Sequence, residues 1–226
     1  MGVAVAAALT GAGNADAATV WIGLADPRVN GGAITTEASG TDLASIAGLR
    51  YGFFTVNSVN GSFFNQILEG NAVDITTAPA TKAQTLDVYV SITGVTGPVG
   101  KVPFTSSFTG QGWAPKWSVE EITYADPADV AYGEGPTLSD VTSAALAAYG
   151  PYTVTPNTPF TALYSMTEEW IIRLKVGASA SSVDNTIKIA IPAVPEAPAW
   201  VMVSLGFAGI GLMNSGRRRS GSRYLV

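Results

Sequence analysis

The stretch TEEWIIRLKV, residues 167–176, constrains the fold more than any other part of the chain. Its apolar residues Trp170, Ile172, Leu174 and Val176 fall on alternate positions, with Ile171, Arg173 and Lys175 between them. A strand places alternate side chains on opposite faces, whereas a helix would scatter these four around its circumference. The segment NTIKIAI repeats the pattern, with Ile187, Ile189 and Ile191 against Lys188 and Ala190. Both read as half-buried strands joined by the flexible GASASSVDN. Further strand candidates are ATVWIGLA, YGFFTVNSV, GSFFNQIL, AVDITT, TLDVYVSIT, VPFTSSF and KWSVEEITYA. The Asn-Gly step in Val59-Asn60-Gly61-Ser62 predicts a hairpin turn. Leu138 to Tyr149 alone predicts a helix, from its Ser-Asp start and Ala-rich run. The proline-rich PYTVTPNTPF, residues 151–160, predicts an edge or crossover loop within one domain.

These elements together predict a mainly β chain, an antiparallel β-sandwich of about ten short strands. Composition agrees: 226 residues with 25 Gly, 13 Pro and only 13% charged residues suit strands and turns better than solvated helices. No internal repeat points to a solenoid or propeller.

The chain has no cysteine and no histidine. Disulfides, thiolate nucleophiles, Ser-His-Asp triads and His-based zinc sites are therefore excluded. Carboxylate or lysine chemistry and oxygen-ligated cations are the enzymatic options left. Between Ala18 and Pro195 the chain carries eight Lys and Arg against fifteen Asp and Glu. An acidic domain without basic clusters argues against nucleic-acid binding.

Both termini read as addresses. Val3 to Leu9 is a short apolar run, and Ala15-Asp16-Ala17 fits a small-x-small cleavage site. Residues 1–17 therefore read as a secretory signal cut by signal peptidase after Ala17 or Ala18. No Lys or Arg precedes the apolar run, so a translation start upstream of Met1 is expected. At the other end, Ala197 to Met213 is free of charge and is followed by Arg217, Arg218, Arg219 and Arg223. Seventeen helical residues span about 25 Å, slightly under a ~30 Å hydrocarbon core, which local thinning accommodates. Pro198 suits a first helical turn, Trp200 suits the interface, and the arginines place the C-terminus in the cytoplasm. The signal segment implies the same topology. Gly206, Gly209 and Gly211 run in the order G-x-x-G-x-G, the reverse of a dinucleotide fingerprint, and suit close helix packing instead.

Val194, Pro195, Glu196, Ala197, Pro198 and Trp200, then the Gly-rich apolar run with GFAGIG, then Arg217 to Arg219, resemble the PEP-CTERM sorting signal of Gram-negative bacteria. The resemblance covers roughly residues 194–226, with all three parts in order. The family's second proline would fall at Ala197, and here it stands one place later, at Pro198. Membership implies export by the general secretion machinery and a single-pass intermediate in the inner membrane, with a transmembrane helix about 198–213. It also implies processing by an exosortase-type membrane peptidase onto the cell surface or beyond. Members are often associated with exopolysaccharide-producing cells, and the tail implies no activity. On this resemblance the chain divides into signal (1–17), exported domain (18–193) and sorting tail (194–226).

Three kinds of chemistry are open to the residues of the exported domain. GWAPKW places Trp113 and Trp117 beside a proline, and exposed indoles would stack on sugar faces, giving a carbohydrate-binding module; the alternative is that both fill the core. Glu120-Glu121 and Glu168-Glu169 are sequence neighbours that point to opposite faces of a strand. Neither pair alone can flank a glycosidic bond, a cross-strand combination such as Glu120 with Glu169 stays open, and solvated surface charges are the expected reading. Asp126-Pro127-Ala128-Asp129 lacks the dense oxygen spacing of a calcium loop and reads as a turn. The expectation is a non-enzymatic structural or adhesive protein of the cell surface or matrix, without cofactor or metal. A carbohydrate-binding module and a carboxylate-based polysaccharide hydrolase are its alternatives.

Overall fold

The computed structural model describes residues 18–111, 114–143, 147–161 and 163–191. Twelve strands account for most of them: β1 (Thr19–Ala25), β2 (Thr35–Thr41), β3 (Leu43–Tyr51), β4 (Phe54–Phe64), β5 (Ile67–Thr77), β6 (Gln84–Val95), β7 (Phe104–Gln111), β8 (Trp117–Asp126), β9 (Thr137–Ser143), β10 (Ala147–Val154), β11 (Tyr164–Leu174) and β12 (Ser182–Ala190). They form two six-stranded sheets, ordered β2-β1-β6-β11-β8-β9 and β10-β7-β12-β5-β4-β3. Every neighbouring pair is antiparallel. The protein is therefore mainly β with a sandwich-like arrangement, as the alternation predicts.

The core lies between the sheets. Ile22, Val88, Val90, Trp170 and Ile172 from the first sheet meet Phe54, Leu68, Ile75, Phe108 and Ile187 from the second, all essentially without solvent contact. In the two segments whose alternation was plainest, Trp170, Ile172, Leu174, Ile187, Ile189 and Ile191 are all buried, while Arg173 and Lys175 are exposed. Val176, just past β11, lies in solvent at 63% exposure. The proline-rich segment is both an edge and a crossover. Pro151–Val154 completes the edge strand β10, and the chain then crosses to β11 with Phe160 inserted in the core. Phe160 and Gly100 exchange two backbone hydrogen bonds of 2.7 and 2.8 Å, and its ring lies 5.0 Å from that of Tyr164.

Two local expectations are overturned. Asn60-Gly61 makes no turn, because β4 runs unbroken from Phe54 to Phe64. Gly61 faces the other sheet so closely that a Cβ there would lie 2.5 Å from Val90 Cγ1. The glycine serves sheet packing rather than chain reversal. The reversal falls at Asn65-Gln66, where φ is 49° and 62°, the two positive values that a tight primed hairpin turn requires. Among the described residues, Leu138 to Tyr149 forms no helix but parts of β9 and β10. Leu138 is buried, and β9 pairs with β8 from Thr137 to Ser143. Pairing with a preformed sheet outweighs the weak helical preference of an Ala-rich run.

Gly70 on β5 is a second point of close approach. A Cβ there would lie 2.3 Å from Trp170 Cη2 and 2.6 Å from Glu168 Oε2. We expect Gly70→Ala to destabilise the fold by about 1–3 kcal/mol through overpacking, read as a lower urea midpoint. An unchanged midpoint would show that the sheets separate there without cost.

Candidate functional site

Strand register decides where the two acidic pairs go. In the β11–β8 pairing, Trp170 stands opposite Glu121 and Glu168 opposite Thr123, so Glu121 and Glu168 share the inner face with Trp170. Glu169 stands opposite Ile122 and Glu120 opposite Ile171, which puts both on the outer face. The expectation of solvated surface charges fails for three of the four. Glu121 and Glu168 have no exposure and Glu169 has 4%. For Glu121 and Glu168 the reason is the pleat, which turns one residue of each adjacent pair into the sandwich core, whereas Glu169 is buried on the outer face beside Tyr89 and Tyr124. Glu120 stays partly exposed and is ion-paired with Arg173.

The inner pair forms a polar seam across the core. From the opposite sheet, Asn185 Nδ2 donates to Glu121 Oε1 at 2.6 Å. Glu121 Oε2, Asn185 Oδ1 and Trp170 Nε1 have no hydrogen-bond partner. Burial pushes the Glu121 carboxyl up to about 8, against the opposing pull of Asn185. Burial also raises Glu168 well above the usual carboxylate range, opposed by the backbone amides of Gly70 and Ile189 and reinforced by Glu69. Such groups are protonated at neutral pH because the interior penalises their charged form.

The outer carboxyls gather from three strands. Tyr124 donates its hydroxyl to Glu169 Oε2 at 2.9 Å, and Tyr89 donates to the same carboxyl. Asp87 shares this face through the β6–β11 register. Burial and then Glu169 push Asp87 up to about 6, while Arg173 opposes the shift. The chain between β8 and β9 covers this face. Tyr132 N donates to Ser91 Oγ at 3.1 Å, its hydroxyl bonds Thr36, and its ring packs 5.9 Å from Tyr89. Glu120 and Glu169 thus share a face, as in the cross-strand combination that spacing left open. Their oxygens are engaged by Arg173 and by the two tyrosines, and Glu169 is closed to solvent. The arrangement holds protons and anchors a covering loop rather than flanking an open cleft. Asp87 and Tyr89 did not stand out as site residues in the sequence, although TLDVYVSIT places both on the face opposite Leu86, Val88 and Val90.

Trp117 is 7% exposed, and its indole Nε1 donates to Ser179 O at 3.1 Å. It belongs to the core and presents no face to a sugar, so the pair of exposed indoles does not hold at this position. Trp113 lies outside the described residues. Asp126 accepts the Ala128 amide at 2.9 Å, as a turn aspartate should. Among the described residues no cluster of three acidic side chains suits a metal ion. Val194, Pro195, Glu196, Ala197, Pro198, Trp200 and Arg217 to Arg219 lie outside the described residues, as do residues 1–17. No helix among the described residues is long and apolar enough to cross a membrane.

The described chain ends at one end of the sandwich. Ile191 is buried, and its amide donates to Gln66 O at the tip of the β4–β5 hairpin, 3.1 Å away. Ala18, the β2–β3 link, the β6–β7 link and the β10–β11 link all lie at this same end.

No protein-family model and no curated protein matches the chain. Among solved structures, one described as "Structure of infectious bursal disease virus Gx strain" aligns at 13% identity and a TM-score of 0.22. The alignment covers 81% of this chain, which spans 53% of that one. A likeness this slight carries no argument about fold or function.

The buried acids predict how stability depends on pH. Glu121 moves from an ordinary 4.5 to about 8 on folding, so the folded state holds a proton that the unfolded chain releases. Its contribution is complete below about 4.5 and is lost as pH rises towards 8, at a slope near 1.4 kcal/mol per pH unit. Glu168 and Asp87 act in the same direction. We expect Glu121→Gln to flatten the decline by about one proton in urea titrations run from pH 4 to pH 9. An unchanged slope would show that Glu121 is ionised in the fold. Trp117→Ala should cost about 3–5 kcal/mol of stability through the cavity it leaves. A stable Trp117→Ala with reduced glycan binding would restore the stacking role.

Proposed function

We propose that this is an exported cell-surface or extracellular-matrix protein with a structural or adhesive role. Its C-terminal segment is a sorting signal that spans the inner membrane at about residues 198–213 and is read by an exosortase-type peptidase. The single observation carrying this reading is the ordered tail: Pro195-Glu196-Ala197-Pro198, an uncharged run to Met213, then Arg217, Arg218 and Arg219. An apolar run followed by arginines inserts with its basic flank in the cytoplasm, which leaves the β domain outside. A turn-rich β domain held by a dry core is compatible with a structural or adhesive role. The exopolysaccharide matrix is the expected surrounding.

The test is expression of the full chain in a host with the sorting peptidase and in one without it, followed by mass spectrometry of the mature C-terminus. The expected outcome is loss of the residues beyond the Pro195-Glu196 motif only where the peptidase is present. Glu196→Ala should leave the uncut chain in the membrane fraction. A tail intact through Val226 in both hosts would leave a plain single-pass anchor as the better description.

A further inference from the structure

We infer that the end of the sandwich formed by the β4–β5 hairpin and the β6–β7 and β10–β11 links is a membrane-contacting surface, seated on the bilayer while the tail is inserted. This rests on the proposed insertion of the tail. The described residues end on Ile191 at this end, and the uncharged run begins at Ala197. Six residue steps reach no farther than about 22 Å even when fully extended. A domain tethered so closely to an inserted helix keeps this end near the headgroups.

The side chains at this end fit such a position. Five of the eight large apolar side chains most exposed among the described residues belong to its strand ends and links: Leu43, Phe64, Val99, Val130 and Leu163. Phe64 at the hairpin tip is 75% exposed. Leu43 pairs opposite Ser62, which puts it beside Phe64 on one face of the β3–β4 ribbon. Val99 and Leu163 come from links at the far side of β12. β4 and β7 are three strand spacings apart, about 14 Å, so the apolar tips are spread across the end rather than gathered in one pocket. Single apolar side chains scattered over several loops match a broad fluid surface better than a compact protein partner, which needs a contiguous patch.

The charges leave the contact to apolar burial. Arg28, Arg50, Lys82, Lys116, Arg173 and Lys175 sit at or near the opposite end; here the cations are Lys101 on a link and Lys188 near the end of β12, and the exposed acids are Asp42 and Glu134 on links. Asp126 and Asp129 turn their carboxylates onto the amides of Ala128 and Gly94. Attraction to anionic headgroups is therefore not what holds this end, and a zwitterionic bilayer is the appropriate probe.

The chain has no cysteine, so single thiols can be introduced without background. Full-length Phe64→Cys, Val99→Cys, Val176→Cys and Leu205→Cys would each be labelled with an environment-sensitive fluorophore and reconstituted in phosphatidylcholine vesicles carrying lipid quenchers both at the headgroups and along the acyl chains. Positions 64, 99 and 176 are all exposed, and unchanged circular dichroism would show that each variant folds. The expected result is quenching at 205, at 64 and at 99, with the signal at 64 and 99 at least about twofold above that at 176, on the opposite end. Quenching at 205 with 64 and 99 no different from 176 would overturn the membrane-contacting surface and leave the inserted tail standing. No quenching at 205 would overturn the inserted tail and this inference with it.

Discussion

The structure depends on how closely its two sheets approach over the central strands. Gly61 and Gly70 leave no room for even a methyl group, and the ring of Trp170 and the side chain of Val90 occupy that space. Close approach of this kind excludes water from the centre and makes the interior behave as a packed solid rather than a fluid layer. The dry interior has two consequences. It buries a continuous set of β-branched and aromatic side chains, and it raises the cost of every polar group that the register forces inward.

Four polar side chains bear that cost at the centre. Glu121 and Asn185 meet across the sheets, while Glu168 and Trp170 lie against Gly70, the Trp170 indole N–H without a partner. Neutralising the carboxyls is the least costly state for them, so the core favours their protonated form. The fold therefore couples its stability to pH through residues remote from any open surface. The outer face repeats the theme in milder form, with Glu169 held by two tyrosines and Asp87 nearby.

The ends of the sandwich differ in character. One end carries most of the basic side chains, and the other carries apolar tips together with the exit of the chain at Ile191. Because antiparallel strands fix which loops share an end, a short segment such as the β4–β5 turn becomes a neighbour of the tail's starting point.

The sequence by itself determined the strand-rich class and the inward faces of β11 and β12, because period-two alternation is a property of the local backbone. It also determined the exclusion of thiol and histidine chemistry, which needs only residue counts. The order of proline motif, uncharged run and arginines over residues 194–226 is likewise a linear pattern, and on it rests only the proposal made for the tail. Only the tertiary structure decided the rest. Asn60-Gly61 looks like a turn until the opposing sheet is seen to need a glycine there, and the Ala-rich stretch before Tyr149 looks helical until β8 captures its first half as β9. Glu168 and Glu169 are equally acidic in sequence, yet one enters the core and the other lies beneath a covering loop. Trp117 becomes core rather than platform because Ser179 from a distant loop receives its indole N–H. These outcomes turn on contacts between residues far apart in the chain, which local spacing does not encode.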